Sequence, residues 1–337
     1  MASMTETPFQ RIAVVGAGAW GTALAIVAGR AGRDVVVVAR KPDVAMAINE
    51  RHENPAFLPG VRLDAAITAS TDAAAVADAD VVLLAAPAQH VRMVAGQLAA
   101  HVRDGTPVVI CAKGIERGSG KLMSDVVAEA LPGARLAILS GPTFAGEVAR
   151  GLPTAVTLAA VDRGLGARLL TTLGSAGFRP YLSDDITGVQ IGGAVKNVIA
   201  IACGIVTGRG LGDNARAALM ARGLAEMMRL GTALGGRRDT LMGLSGLGDL
   251  SLTCNGPQSR NMSLGMALGR GLSLDEALAG RRAVVEGVDS AEAVNTLAAR
   301  VGVEMPIVSA VHAILHEEAD IDTAIASLLA RPFKNED

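Results

Sequence analysis

A strand-like run, Arg11–Val15, passes directly into Gly16-Ala17-Gly18-Ala19-Trp20-Gly21 and then into a helix-like stretch over 21–31. Few folds accept that order. Gly16 allows a tight turn, Gly18 lets the backbone approach a pyrophosphate, and Gly21 lets the helix pack close on the strand. The helix start presents unpaired N–H groups and the positive end of its dipole to phosphate oxygens. In a chain with 40 glycines the spacing alone is weak. Its setting is what counts: strand, fingerprint, helix, then a second strand over 34–39. Gly16, Gly18, Ala19, Trp20 and Gly21 therefore read as the cradle of a dinucleotide.

The rest of the first half continues the alternation. Short Val-, Ile- and Leu-rich runs at 80–86, 107–112, 135–139, 155–158 and 178–182 are apolar on both faces. Helix-like stretches at 44–50, 89–101 and 121–131 separate them. Strands of this kind belong to a parallel sheet covered by helices on both sides, and the alternation predicts right-handed βαβ units. After about Asp185 the strand signal fades, and 215–234, 274–279, 290–301 and 307–316 read as successive helices. The expected fold is an α/β Rossmann-type doubly wound domain over 1–187, followed by an all-α domain over 188–337.

Composition narrows the function. Thirty-one Lys and Arg against 33 Asp and Glu leave a formal charge of −2, with no basic face, which argues against nucleic acid. Cys111, Cys203 and Cys254 are few and widely spaced, so inert thiols in a reducing cytosol are expected. The first ten residues do not read as a signal peptide. The 22 residues from Ile186 to Thr207 carry one charge, Lys196, and are long enough to span a bilayer. Interrupting glycines, Gln190 and Asn197, with no aromatic belt, favour a helix buried inside a soluble protein. His312 and His316 have a helical spacing that can bind zinc, but the HExxH order is absent and no metal is expected.

Other residues carry chemistry. The second strand ends Val38-Ala39-Arg40-Lys41, without the carboxylate that would bind a ribose 2′-hydroxyl. Arg40 and Lys41 suit a 2′-phosphate, predicting NADPH over NADH; the alternative is two solvated surface cations. Asp43 is expected to cap the next helix. Lys196 lies mid-run in an apolar helix, where desolvation lowers its pKa toward a value useful for proton transfer. A snorkelling lysine is the alternative. Lys113 and the segment Gly141-Pro142-Thr143-Phe144-Ala145-Gly146-Glu147 follow strand ends, where ligands bind in open α/β sheets. The segment from Gly243 to Asn261 joins glycines to Asp249, Ser259, Arg260 and Asn261, a set suited to a small polar anion.

Six ordered motifs, GAGAWGTALA, AKGIE, SGPTFAGEVARGLPTA, GGAVKNVIAIACGI, GLSGLGDLSLTCNGPQSRN and VVEGV, resemble those of the bacterial NAD(P)-dependent glycerol-3-phosphate dehydrogenases. The resemblance runs from Ile12 to Lys334. It implies reversible reduction of dihydroxyacetone phosphate to sn-glycerol 3-phosphate, a phospholipid precursor, in a cytoplasmic homodimer. It implies that Lys196 is the catalytic proton donor. It places Lys113, Gly141, Thr143, Asp249, Ser259, Arg260 and Asn261 on the substrate. Trp20, Arg40, Lys41, Lys113, Ala145, Arg260, Val284 and Glu286 fall on the cofactor. The chain departs from the usual pattern at Ala19, where Ser is frequent, and at Ala221, where Thr is frequent. A ketopantoate reductase-like or β-hydroxyacid dehydrogenase-like enzyme, or a non-catalytic NADPH sensor, are the competing readings.

Overall fold

The computed structural model describes residues 6–256, 258–280 and 284–332. The ends of the two expected domains, 1–5 and 333–337, lie outside them, as do Pro257 of the GLSGLGDLSLTCNGPQSRN motif and Lys334, where the resemblance ends.

The first half contains strands β1 (Arg11–Val15), β2 (Asp34–Val38), β3 (Glu53–Asn54), β4 (Leu58–Arg62), β5 (Thr68–Ser70), β6 (Val81–Leu84), β7 (Pro107–Ile110), β8 (Arg135–Ser140), β9 (Thr154–Ala159) and β10 (Phe178–Ser183). Its helices are α1 (Ala19–Arg30), α2 (Pro42–Arg51), α3 (Val91–Leu98), α4 (Met123–Ala130), α5 (Ala145–Ala149) and α6 (Arg163–Leu173). Eight strands form one sheet in the order β10-β9-β8-β7-β6-β1-β2-β5, and β3 pairs with β4 in a separate hairpin. Both faces of the sheet carry apolar clusters: Leu24, Ile48 and Leu139 contribute to one, Leu84, Leu98 and Ile138 to the other. This is the doubly wound, Rossmann-type half.

One pairing departs from an all-parallel sheet: β8 and β9 run antiparallel, while β9 and β10 are parallel. The cause is the connection between them. A parallel crossover needs a helix that runs back along the strand, and five-residue α5 covers only about 7 Å against roughly 20 Å for a six-residue strand. The short pieces β3, β4 and β5 were not legible in the sequence, and Asp43 is not a helix cap. Lys41 occupies the N-cap of α2, Pro42 the first position, and Asp43 stands inside the first turn.

The remaining helices are α7 (Ile186–Gly208), α8 (Gly212–Ala233), α9 (Arg238–Met242), α10 (Asp249–Asn255), α11 (Arg260–Gly269), α12 (Leu274–Leu278), α13 (Glu286–Arg300), α14 (Pro306–His316) and α15 (Ile321–Leu329). A π-helical turn, Leu244–Gly248, joins α9 to α10. The long helix α7 is the axis of this half, packed by α8, α10, α11, α13 and α14. It is long and apolar enough to cross a membrane, but the whole of its most apolar window is buried inside the fold.

Helices α7 and α11 meet backbone to backbone. A Cβ on Gly204 would lie 2.3 Å from Met262 O, and one on Gly265 would lie 2.1 Å from Ile201 O. Gly208 and Gly269 repeat the contact one turn on, at 2.4 Å from Met266 O and 2.5 Å from Ile205 O. This seam holds the segment that opens with Arg260 and Asn261 against the one carrying Lys196 and Asn197.

Candidate active site

The chain order reverses beside β1: β2 and β5 extend the sheet one way, β6 to β10 the other. Ligands bind outside the carboxyl ends of strands at such a switch point. The glycine loop lies there. Gly16 has φ +111°, and a Cβ on it would lie 2.9 Å from the Ala85 carbonyl just beyond β6. A Cβ on Gly21 would lie 1.8 Å from Gly16 O, so the helix start could not approach with any other residue. At Gly18 nothing lies within 4 Å of the same position, which leaves an open approach to the loop. The first turn of α1 has no acidic residue and no side-chain cap. Trp20 Nε1 is buried without a partner. A phosphate-bearing dinucleotide fits this cradle by charge and by space.

Asn54 braces the loop from the β3–β4 hairpin. Its amide donates to Ala17 O at 2.9 Å and to Thr22 Oγ1 at 2.8 Å. No motif announced it, because the hairpin sequence has little strand character. Arg40 and Lys41 are exposed just beyond β2, with no carboxylate between Val38 and Lys41.

The polar centre lies where the loops after β7 and β8 face α7 and α10. Lys196 Nζ donates to Asp249 Oδ1 at 2.7 Å and to Thr253 Oγ1 at 2.9 Å. Lys113 Nζ donates to Asp249 Oδ2 at 2.7 Å and to Gly141 O at 2.9 Å. One fully buried carboxylate thus holds two ammonium groups, one on each oxygen. Burial pulls the Lys196 pKa down to about 8; Asp249 opposes that shift, and the Lys113 charge adds to it. A lysine shifted this far lies in the range where a side chain can serve as general acid and base near neutral pH.

A second chain of bonds ties in the amides. Asn261 Nδ2 donates to Asn197 Oδ1 at 2.8 Å, and Gly287 N donates to Asn261 Oδ1 at 3.0 Å. Asn197 Nδ2 lies 3.4 Å from Lys113 O. Arg260 is exposed at the start of α11 and donates to Val284 O at 2.7 Å. Glu286 opens α13; burial holds its carboxyl above the ordinary range, against the pull of Arg260 and both lysines.

The structure brings Lys113, Gly141, Lys196, Asp249 and Asn261 into one bonded cluster, with Arg260, Val284 and Glu286 at its edge. Thr143 Oγ1 turns back to Gly141 O at 3.3 Å, and Ala145 is the first residue of α5. Ser259 spends its hydroxyl as the N-cap of α11, accepting from Met262 N at 3.2 Å. Two cluster members escaped sequence reasoning. Thr253 lies one turn after Asp249, but the glycine-rich segment from 243 to 261 gave no sign of being helical. Asn197 is masked by its neighbour Lys196. Cys111, Cys203 and Cys254 are buried and free, and burial pushes the Cys111 thiol up to about 12. His316 contacts Val288 O at 3.0 Å, and His312 faces Glu317 at 3.4 Å.

Family models named for the N-terminus and C-terminus of NAD-dependent glycerol-3-phosphate dehydrogenase match residues 11–165 and 185–326. The chain belongs to this family. A glycerol-3-phosphate dehydrogenase [NAD(P)+] from Caulobacter vibrioides is 58% identical over 97% of this chain and 99% of its own. One from Parvibaculum lavamentivorans is 57% identical over 97% and 98%. The crystal structure of the glycerol-3-phosphate dehydrogenase from Coxiella burnetii superposes with a TM-score of 0.92. It has 39% sequence identity, over 96% of this chain and 99% of that one. The dehydrogenase is thus an NAD(P)-dependent oxidoreductase, with its lysine–aspartate cluster at the junction of sheet and helices.

Proposed function

We propose that this chain reversibly reduces dihydroxyacetone phosphate to sn-glycerol 3-phosphate, with NADPH as preferred hydride carrier and NADH as the alternative. The observation that carries this reading is the buried Lys196 ammonium, bonded to Asp249 and Thr253 beside the strand ends where a dinucleotide fits. A nicotinamide dinucleotide, when bound, supplies a hydride to the ketone carbon. Negative charge then develops on the carbonyl oxygen, and the Lys196 ammonium stabilises it and gives up its proton there. In the oxidation direction the neutral amine takes that proton back. Asp249 orients Lys196 and Lys113 through its two oxygens. Arg260 and Asn261 hold the phosphate, so remote binding energy orients the reacting carbon. Gly141, Thr143 and Ser259 complete the substrate side.

Gly16, Gly18, Ala19, Trp20 and Gly21 cradle the cofactor pyrophosphate, and Lys113, Ala145, Arg260, Val284 and Glu286 border the nicotinamide half. Arg40 and Lys41, exposed beyond β2 at a strand end with no carboxylate between Val38 and Lys41, support the preference for a 2′-phosphate. We divide the chain between Ser183, where the last sheet strand ends, and Ile186, where α7 starts, just before the division after residue 187 that the sequence suggests. The same reading makes the enzyme a cytoplasmic homodimer that feeds phospholipid synthesis and takes no nucleic acid or membrane insertion. Oxidation of NADPH on addition of dihydroxyacetone phosphate tests the reaction. Lys196→Ala should abolish it with the fold intact, and an active variant refutes the assignment.

A further inference from the structure

We propose that Gly192, with the π-turn Leu244–Gly248 resting on it, is the spacer that fixes the separation at which Lys196 meets Asp249. The inference depends on the role given to Lys196 above. Gly192 and Lys196 are four residues apart on α7 and so share one face. Ser245 and Asp249 are likewise four apart on the segment opposite. Two contacts between the segments matter here. One contact is the Lys196–Asp249 ion pair at 2.7 Å. The other is backbone on backbone at Gly192, where a Cβ would lie 2.4 Å from Ser245 O, 2.9 Å from Ser245 C and 3.1 Å from Gly246 Cα.

Those are main-chain atoms, so any side chain at 192 must displace the turn itself. The turn is itself tightly wound on the end of α9: a Cβ at Gly246 would lie 1.9 Å from Leu241 O. Its own bond, Gly248 N to Gly243 O at 3.0 Å, spans one residue more than an α-helical bond. That extra residue sets the direction in which α10 starts, and Asp249 is the first residue of α10. The turn keeps this shape although the Ser245 hydroxyl is buried without a partner, which costs stability. The neighbouring Gly193 does the same toward the other lysine: a Cβ there would lie 3.0 Å from Ser140 Oγ and 3.4 Å from Lys113 Cγ. The paired glycines bring α7 close to the turn that leads into Asp249 and to Lys113 at once.

The test is Gly192→Ala, assayed for dihydroxyacetone phosphate reduction across pH. Pushing the turn outward should lower kcat roughly 100-fold, the scale of a 1 Å misplacement, with a smaller change in KM. Lys196 faces Asp249 from α10, Lys113 from the loop after β7, Glu286 from α13, and the Cys254 thiol. Of these, Asp249 most strongly favours the ammonium. Its withdrawal should therefore move the Lys196 limb of the pH profile toward acid. Asp249→Glu, one methylene longer, should lower kcat in the native background and raise it in Gly192→Ala. Gly223→Ala serves as a control for general destabilisation. Its Cβ would press Ile199 of α7 at 2.6 Å from the α8 side, lowering Tm without moving the pH limb.

Native kcat and an unmoved pH limb in Gly192→Ala overturn the proposal, as does an equal effect of Asp249→Glu in both backgrounds. Should Gly192→Ala not accumulate as folded protein, Asp249→Glu alone decides. A loss of about 10-fold or more supports a fixed separation, and native kcat refutes it. An active Lys196→Ala would strike instead at the role of the lysine, whichever way the spacer variants behave.

Discussion

Replacing Asp249 by Asn tests the centre of the site most directly. The side chain keeps its shape and one acceptor oxygen, but it loses the charge that both ammonium groups share at 2.7 Å. It also turns an N–H group toward one of them. Asp249 is fully buried and the lysine side chains are 13% and 8% exposed, so water can replace little of what is lost. Lys196 starts from a pKa of about 8, already lowered by burial, with Asp249 the strongest force holding it up. Removing an opposite charge at this range lowers a lysine pKa by about 1–3. At pH 7.5 the protonated fraction would fall from roughly three-quarters to between about a quarter and less than a hundredth. The rate of reduction, which needs the ammonium, should fall at least in that proportion, and its alkaline limb should move to lower pH. The profile is read from kcat for NADPH oxidation at saturating dihydroxyacetone phosphate, with Tm followed in parallel. An Asn variant with the native pH limb and a native rate would refute the argument, because Asp249 would then not govern the Lys196 proton.

Further outcomes follow from other parts of the molecule. Gly265→Ala should destabilise the fold by several kcal/mol, because its Cβ would lie 2.1 Å from Ile201 O in the α7–α11 seam; thermal unfolding checks this. Arg260→Ala should raise KM for the phosphorylated ketone far more than it lowers kcat, since its guanidinium is exposed and donates to Val284 O, away from the reacting centre. Arg40→Ala with Lys41→Ala should lower kcat/KM for NADPH while leaving that for NADH nearly unchanged. Glu226, on α8, accepts from Ile307 N at 2.8 Å and Val308 N at 3.2 Å, and burial raises its pKa to about 7. Its folded value lies above the unfolded one. The stability it lends is therefore present at low pH and lost as pH rises through about 7, a change of about 3 kcal/mol at most. Glu226→Gln should flatten the dependence of Tm on pH across that interval.

Much of the fold was written locally. The glycine fingerprint can be read locally, because strand, turn and helix follow one another along the chain, although Gly16 also makes room for the Ala85 carbonyl of the neighbouring strand's end. The long sheet strands show as apolar runs because both faces of the sheet are covered. Lys196 stands out because a charge in an apolar helix needs an explanation, and Arg40 and Lys41 because a strand end there lacks a carboxylate. The antiparallel pairing of β8 and β9 was not legible, since it follows from how little space α5 spans. Nor was the hairpin that carries Asn54, whose value lies wholly in reaching Ala17 and Thr22 across the fold.

The sequence by itself thus determined the long sheet strands, the main helices, the turn suited to a dinucleotide and the residue types available for proton transfer. Only the tertiary structure decided how they meet. A π-turn hidden in a glycine-rich stretch puts both Asp249 and Thr253 on Lys196, and two glycine-lined contacts let α7 lie close enough for that bond. Such contacts depend on the absence of a side chain opposite a particular carbonyl, and a linear sequence does not show which glycine will face which atom.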